Sequence, residues 1–245
     1  MGCDIHIRIE RRQSEENGGA WENVAYSVRP WHDEDRQEEW LTHQWTEHRK
    51  RLDAGAVEMP RCFDNRNYNL FGILGNVRNG HGFAGIVTGD PWPPLTDQRG
   101  ITADSLAKED DDGDEDDEND LTVWIGDHSF TYISLEELLS YEWDGTVTRR
   151  RGMVAFPVWQ TWVNDPNAEP SPFPRCGGIT GPNVEIISEA DAHRRTENLH
   201  DSLYVETTWS ETARQATNNW IGEVGPVLDR IAGRQALRLV MGFDS

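Results

Sequence analysis

Two pairs of histidine and carboxylate residues are the part of this sequence whose types and spacing fit chemistry. Asp4 and His6 are two positions apart in the opening segment, and Asp127 is followed directly by His128. Residues two apart on an extended strand point to the same face, so Asp4 and His6 are predicted to lie side by side. Histidine and carboxylate groups are the usual ligands of Zn, Mn or Fe, and they also act as acid and base. The two pairs therefore predict a divalent metal site or an acid–base site.

Three further residues are candidates to complete such a site. Asp244 lies in the closing segment and joins the others if the first and last strands pair. Arg78 and Arg99 lie in predicted loops and would orient an anionic substrate through bidentate hydrogen bonds. A metal ion with one open position would supply activated water. The predicted catalytic residues are Asp4, His6, Asp127 and His128, the metal ligands are these four and Asp244, and the substrate-binding residues are Arg78 and Arg99.

The same two pairs also suit a purely structural role. A half-buried strand carries polar residues on its solvent-exposed face, and Arg8 and Glu10 continue the polar alternation that Asp4 and His6 begin. The second pair would suit the turn before a capped helix. The sequence contains no phosphate-binding glycine loop, no dinucleotide fingerprint and no hydrolase nucleophile elbow. Enzyme and non-catalytic protein therefore both stay open.

The elements that must position these residues follow from hydrophobic spacing and capping signals. Predicted strands are residues 1–10, 20–28, 154–163 and 236–245, and predicted helices are Asp33–Leu52, a helix capped by Asn67, Leu135–Tyr141 after a Ser134/Glu137 capping box, and a helix through Ile231 that a Thr208/Glu211 capping box opens. This order predicts an α+β fold with a single, mainly antiparallel sheet that contains the N- and C-terminal strands and is covered by helices on one face. The whole chain, 1–245, is predicted to be one domain.

Charge and composition exclude several classes of function. The chain has 44 acidic and 23 basic residues, a net charge of −21, which argues against binding to nucleic-acid backbones. Only two of the bases are lysines, a composition typical of extreme halophiles, whose molar salt screens acid–acid repulsion. Residues 109–120 hold ten acids and predict an acidic surface insertion at 108–120, and 164–182 predict a Pro-rich loop. Short apolar runs and a charged N-terminal segment predict no membrane span and a cytosolic location.

Several segments of the chain resemble a family encoded by tailed viruses of prokaryotes and by prophages. They are MGCDIHIRIE at the start, RNYNLFGILGNVRNG with GFAG and TGDPWPP after it, GDHSFTYISLEELL, and LRLVMGFDS at the end. The segments occur in the family's order and span nearly the whole chain. The resemblance implies a viral accessory protein, and with the halophilic composition it points to a virus or provirus of a haloarchaeon. It implies no particular fold or activity.

Two functions are consistent with these observations. The first is a metal-assisted hydrolase of a small phosphorylated or nucleotide-like molecule, with the site residues given above. The second is a non-catalytic viral protein that binds a host factor or a ligand, or that is a component of the virion. Either function would place the protein in the host cytoplasm or in the virus particle.

Overall fold

The computed structural model describes residues 2–26, 57–58, 66–108, 123–165, 183–195, 202–233 and 235–244. The predicted helix Asp33–Leu52, nearly all of the acidic insertion at 108–120 and the Pro-rich loop after Asp165 lie outside the described residues. The strands are β1 Asp4–Arg12, β2 Trp21–Tyr26, β3 Val57–Glu58, β4 Ala107–Lys108, β5 Val123–Trp124, β6 His128–Ser134, β7 Val147–Ala155, β8 Glu185–Ser188, β9 Leu203–Thr212 and β10 Leu237–Asp244. The helices are α1 Tyr68–Gly75, α2 Leu135–Ser140, α3 Phe156–Asn164, α4 Glu189–Ala192, α5 Ala213–Ala216 and α6 Trp220–Ala232.

The two terminal strands are neighbours inside the largest described sheet, whose order is β3-β2-β1-β10-β6. β1 and β10 are antiparallel, and their register runs from Asp4 opposite Asp244 to Arg11 opposite Leu237. β2 pairs with β1 in the antiparallel direction, and only the short β3 joins this sheet in parallel. The predicted α+β fold with a mainly antiparallel sheet around both terminal strands is therefore confirmed. The structure adds a three-stranded sheet, β7-β9-β8, and the two-stranded sheet β4-β5.

Helices cover the apolar face of the five-stranded sheet, where the main core lies. Cys3, Ile5 and Ile9 from β1 and its N-terminal flank pack there with residues of β10, α1 and α6. α1 begins where the sequence predicts, because the Asn67 side chain accepts hydrogen bonds from the two backbone N–H groups of Asn69 and Leu70. Its last residue is Gly75, where a β-carbon would lie 2.8 Å from the ring of Phe243. This close contact seats α1 directly on the end of β10.

Two local predictions are wrong. Thr208 and Glu211 lie within β9, and the capping box that opens the following helix is formed by Thr212 and Gln215. The segment 154–163 is a strand only to Ala155 and then becomes α3. A proline in the first turn suits this helix, because its missing N–H has no intrahelical partner there in any case. In both places the residue types fit two structures equally well, and packing decides between them.

No helix in the described parts of the chain combines the length and apolar character needed to cross a membrane.

Candidate functional site

The paired strands β1 and β10 have an end at which Asp4 lies opposite Asp244, here called the open end of the β1–β10 ladder. This end brings together the polar residues that the sequence predicts on one face of a strand. Asp4 lies opposite Asp244, and His6 lies opposite Gly242 on the face turned away from the core. His6 Nε2 is 3.1 Å from Asp244 Oδ2, and the Asp4 backbone N–H donates to Asp244 Oδ1 at 3.1 Å. Asp244 is therefore held by a side chain and by the backbone of the neighbouring strand.

The environment of Asp244 keeps it ionised. Burial disfavours its charge, but the hydrogen bond and charge of His6, the Asp4 N–H and the nearby Arg66 outweigh burial and hold the pKa of Asp244 below its usual range. A carboxylate can only accept hydrogen bonds, so His6 Nε2 must carry the proton that lies between the two side chains. The pair is therefore an imidazole whose ring orientation is fixed by a carboxylate.

A second ion pair lies beside this one, between Arg66 and Asp4. The Nε and Nη2 groups of Arg66 donate to the two carboxylate oxygens of Asp4, and this interaction raises the pKa of Arg66. The guanidinium also lies against Gly2, where a β-carbon would be 2.9 Å from Nη1. Sequence reasoning missed Arg66. Its position directly before the Asn67 cap was the available signal, because a cap fixes the direction in which the chain enters its helix.

Arg78 lies near this cluster and contacts Gly2 and Tyr68. Its Nη2 is 3.4 Å from the Gly2 carbonyl, and its guanidinium lies 5.3 Å from the centre of the Tyr68 ring. Burial raises the pKa of the Cys3 thiol, and a hydrogen bond with Arg78 opposes that rise. Arg78 has a positive φ of 49°, a backbone conformation that side-chain-bearing residues rarely adopt. These contacts tie the N-terminal segment to the loop after α1 and to the first residue of that helix.

The second predicted pair, Asp127 and His128, lies at the start of β6, which pairs with β10 along the edge opposite β1. The Asp127 N–H donates to the Phe243 carbonyl at 2.8 Å, and its carboxylate is exposed. His128 lies opposite Phe243, and the two rings are nearly parallel with centres 6.3 Å apart. Phe243 belongs to the core face, so His128 lies on the face opposite His6. The structure brings Asp4, His6 and Asp244 together and does not bring His128 onto their side of the sheet.

A bulge in β6 is the reason for this placement. Met241 pairs with Thr131, and uninterrupted pairing from there would put His128 opposite Asp244. The register instead shifts by one residue, and Ser129, with a φ of 57°, absorbs the shift. Because side chains alternate between faces, a shift of one residue moves His128 from the outer face to the core face.

Arg99 lies away from the cluster, toward the opposite end of β6. Its guanidinium donates to both carboxylate oxygens of Glu137 at 3.1 and 2.7 Å and lies over the Tyr132 ring. This pairing, together with hydrogen bonds from the backbone N–H and the hydroxyl of Ser134, lowers the pKa of Glu137 to about 2. Arg99 therefore fastens the loop before β4 to α2 and does not join Asp4 and His6.

Metal binding at the cluster is restricted by the Arg66 contact. In the described ranges, no group of three or more His, Cys, Asp or Glu side chains has an arrangement suited to a metal ion. Asp4 is engaged by a guanidinium, which leaves His6 and Asp244 as the predicted ligands closest to one another. The divalent ion stays a prediction.

The opposite end of the same ladder carries an ion pair of a different kind. Glu10 and Arg238 face each other in register, and their side chains are 0% and 7% exposed. Ser105 Oγ and the Leu106 N–H also donate to Glu10, and Asp104 accepts from Arg238. The segment that contains Asp104 to Leu106 thus covers this end of the outer face.

Comparisons with known protein families, with curated proteins and with solved structures found no match to this chain.

Proposed function

We propose that Asp4, His6, Arg66 and Asp244 form the active site of a hydrolase that acts on a small phosphorylated or nucleotide-like molecule. The observation that carries the proposal is the hydrogen bond between His6 Nε2 and Asp244 Oδ2 at 3.1 Å. The pair lies on the face of the sheet turned away from the core, about one third exposed, and a cationic guanidinium lies next to it. An oriented imidazole beside a cation is the arrangement that general-base attack on an anionic ester needs.

In this reaction the His6 imidazole acts as the general base and takes a proton from a water molecule while the water oxygen attacks phosphorus. Asp244 stabilises the imidazolium that forms and keeps the ring in its tautomer. The bond from phosphorus to the ester oxygen breaks, and the leaving oxygen takes up a proton from the imidazolium or from solvent. Arg66 neutralises charge on the phosphate oxygens as the reaction proceeds. A positioned base of this kind contributes about 10²- to 10⁴-fold to the rate.

The segments that resemble the viral family meet at the proposed active site, and this supports the proposal of an accessory enzyme. The opening segment supplies Asp4 and His6, the segment RNYNLFGILGNVRNG supplies Arg66, and the closing segment supplies Asp244. Gly126 begins the segment GDHSFTYISLEELL. Its backbone packs so closely on Phe243 that a β-carbon there would lie 2.5 Å from the Phe243 carbonyl oxygen. Segments far apart in the chain thus meet at one end of the sheet, on the residues that this proposal uses.

A metal-assisted form of the reaction uses the same residues. In this form a metal ion replaces the proton on His6 Nε2. Two ligands of one ion at about 2 Å lie roughly 3 Å from one another, which is the separation of His6 Nε2 and Asp244 Oδ2. Zn, Mn or Fe held there would supply activated water, with Asp4 as a further ligand after release from Arg66. This form predicts that chelator-treated protein regains hydrolysis when one of these ions is added. Equal activity with and without added metal supports the metal-independent form.

The test is phosphate release by the purified protein in molar KCl from p-nitrophenyl phosphate and from nucleoside mono-, di- and triphosphates. His6→Gln and Asp244→Asn should lower kcat/KM about 100-fold or more, because each removes the oriented base. His81→Gln is the matched control, since His81 is exposed on a loop and its ring Nδ1 contacts the Asn79 carbonyl instead of the cluster. The proposal fails if His6→Gln and His81→Gln hydrolyse the same substrate equally well.

A non-catalytic binding function is favoured by a different feature, the loop that carries Phe83, Ile86 and Val87. These side chains are 47%, 37% and 54% exposed, although backbone hydrogen bonds within residues 82–86 and a bridge between His81 and Val87 hold the loop. An ordered loop that presents apolar side chains suits contact with a host or virion protein. If the protein is a virion component, purified particles contain it, and a Phe83→Ser/Val87→Ser variant is absent from them. Particles that lack the wild-type protein exclude this function.

A further inference from the structure

We infer that Asp4 occupies the anion site of Arg66 as an internal competitor, and that a phosphate group binds there by displacing it. The inference rests on the proposed function, which already assigns Arg66 to the phosphate oxygens. It adds that the Asp4 carboxylate must leave Arg66 before phosphate binds. It also gives Asp4 a role opposite to that of a metal ligand, because removing its charge should strengthen binding.

The contact between Arg66 and Asp4 has the geometry of anion recognition. Two guanidinium N–H groups donate to two oxygens of one carboxylate, and the same planar fork fits two oxygens of a phosphate. The two side chains are 51% and 46% exposed, so phosphate from solvent can reach the guanidinium. An ion pair exposed to this degree contributes little to stability, and exchanging its anion therefore costs the fold little.

The backbone around Arg66 is fixed, although its partner can be exchanged. Arg66 directly precedes Asn67, whose side chain caps α1 and whose Nδ2 donates to the Ala216 carbonyl at 3.0 Å. Gly2 offers a surface without a side chain, and a β-carbon there would press on Nη1 at 2.9 Å. The guanidinium thus starts from a defined position, and this preorganisation lowers the entropy cost of binding an anion.

Charge favours phosphate over Asp4 as the partner of Arg66, whose surroundings also include Tyr68. The Tyr68 hydroxyl is buried and has no hydrogen-bond partner among the described residues. Tyr68 also interacts electrostatically with Arg66, which places the two side chains near each other. A phosphate carries more negative charge than the single charge of Asp4 and offers three acceptor oxygens, so it competes with Asp4 effectively.

The experiment measures the affinity of the full-length protein for inorganic phosphate by isothermal titration calorimetry at one fixed KCl concentration. Asp4→Asn should bind phosphate about tenfold more tightly than the wild type, because a neutral amide no longer competes for the charged fork. Arg66→Gln should lose the binding. Glu206→Gln is the matched control, since Glu206 pairs with Arg151 in another exposed ion pair and its loss changes the net charge by the same amount.

Three outcomes overturn the inference. They are equal tightening by Asp4→Asn and Glu206→Gln, phosphate affinity in Arg66→Gln equal to that of the wild type, and no phosphate binding by either the wild type or Asp4→Asn. Thermal melting of each variant verifies that it is folded before titration. His6→Gln separates this inference from the proposed function, because it should stop hydrolysis and keep phosphate affinity within about twofold. If no variant and no wild-type sample hydrolyses any substrate, yet Asp4→Asn still tightens phosphate binding, the hydrolase fails and the anion site stands.

Discussion

The two ends of the β1–β10 ladder carry similar charged groups on the same face, but the groups are buried at one end, the covered end, and partly exposed at the open end. At one end Glu10 and Arg238 are almost fully buried, and Ser105 and Leu106 satisfy the remaining acceptor capacity of Glu10. At the other end the Asp4–Arg66 and His6–Asp244 pairs are one third to one half exposed. The strands, the register and the face are shared, so the covering segment that contains Asp104 to Leu106 makes the difference.

This difference separates a structural role from a functional one. A buried charge keeps its partner because desolvation makes the unpaired state very costly, and such a pair fixes the position of the segment above it. A half-exposed pair exchanges partners at little cost, which makes it suitable for binding and proton transfer. Charged residues with the same spacing along a strand can therefore serve either purpose, and the cover over them decides which.

The largest expected effect is on the free energy of unfolding, when the ion pair at the covered end is broken. Arg238→Met leaves the Glu10 carboxylate buried without its cation and should lower the free energy of unfolding by about 3–5 kcal/mol. Arg66→Met removes the exposed partner of Asp4 and should cost about 1 kcal/mol or less. Urea unfolding in molar KCl measures both values. Equal destabilisation by the two variants would contradict the distinction between the two ends.

Salt should have the next largest effect and should act on the whole chain. A net charge of −21 predicts a clearly lower Tm when KCl is diluted from molar concentration to about 0.1 M, because the Debye length grows from about 3 to 10 Å. The loss of stability caused by Arg238→Met should change little with salt, since a buried pair is weakly screened. Differential scanning fluorimetry across KCl concentrations tests both statements. A Tm that does not change with KCl would exclude the halophilic interpretation.

The smallest expected effect is on acid stability at the open end. Folding lowers the pKa of Asp244, so its contribution to stability is present above the ordinary aspartate pKa of about 4 and is lost as the pH falls through the lower, folded value. The wild type should therefore lose slightly more stability than Asp244→Asn between pH 6 and pH 3. Unfolding curves of the two proteins at matched pH measure the difference. A greater acid loss in Asp244→Asn would show that the carboxylate is not stabilised by folding.

Much of the fold could be predicted from local sequence patterns. The alternation in the opening segment predicted β1, and the closing segment predicted its neighbour β10. Asn67 and the Ser134/Glu137 box marked the starts of α1 and α2 because a cap satisfies backbone groups within three residues of itself. Thr208 and Glu211 show the limit of this signal, since the same spacing also occurs in the middle of a strand.

The site was only partly predictable, and the reason is the range of the interactions involved. Asp4 and His6 share a face because of strand alternation, and Asp244 joins them through terminal strand pairing. Arg66 reaches Asp4 from a loop 62 residues away along the chain, and no local pattern encodes that contact. The face of His128 depends on the left-handed residue Ser129, which carries no Gly or Asn signature. Long-range contacts and a single bulge therefore explain why the residues that the structure brings together differ from the predicted set.

We propose that the open end of the ladder, and not the covered end, binds an anionic substrate. Titration of the isotope-labelled protein with inorganic phosphate, followed through backbone amide NMR shifts, tests it directly. We predict saturable changes at residues 2–6, 66–68 and 242–244, and none at 8–12, 104–106 and 236–240. Changes centred on Glu10 and Arg238, or no saturable change at the open end, would contradict it.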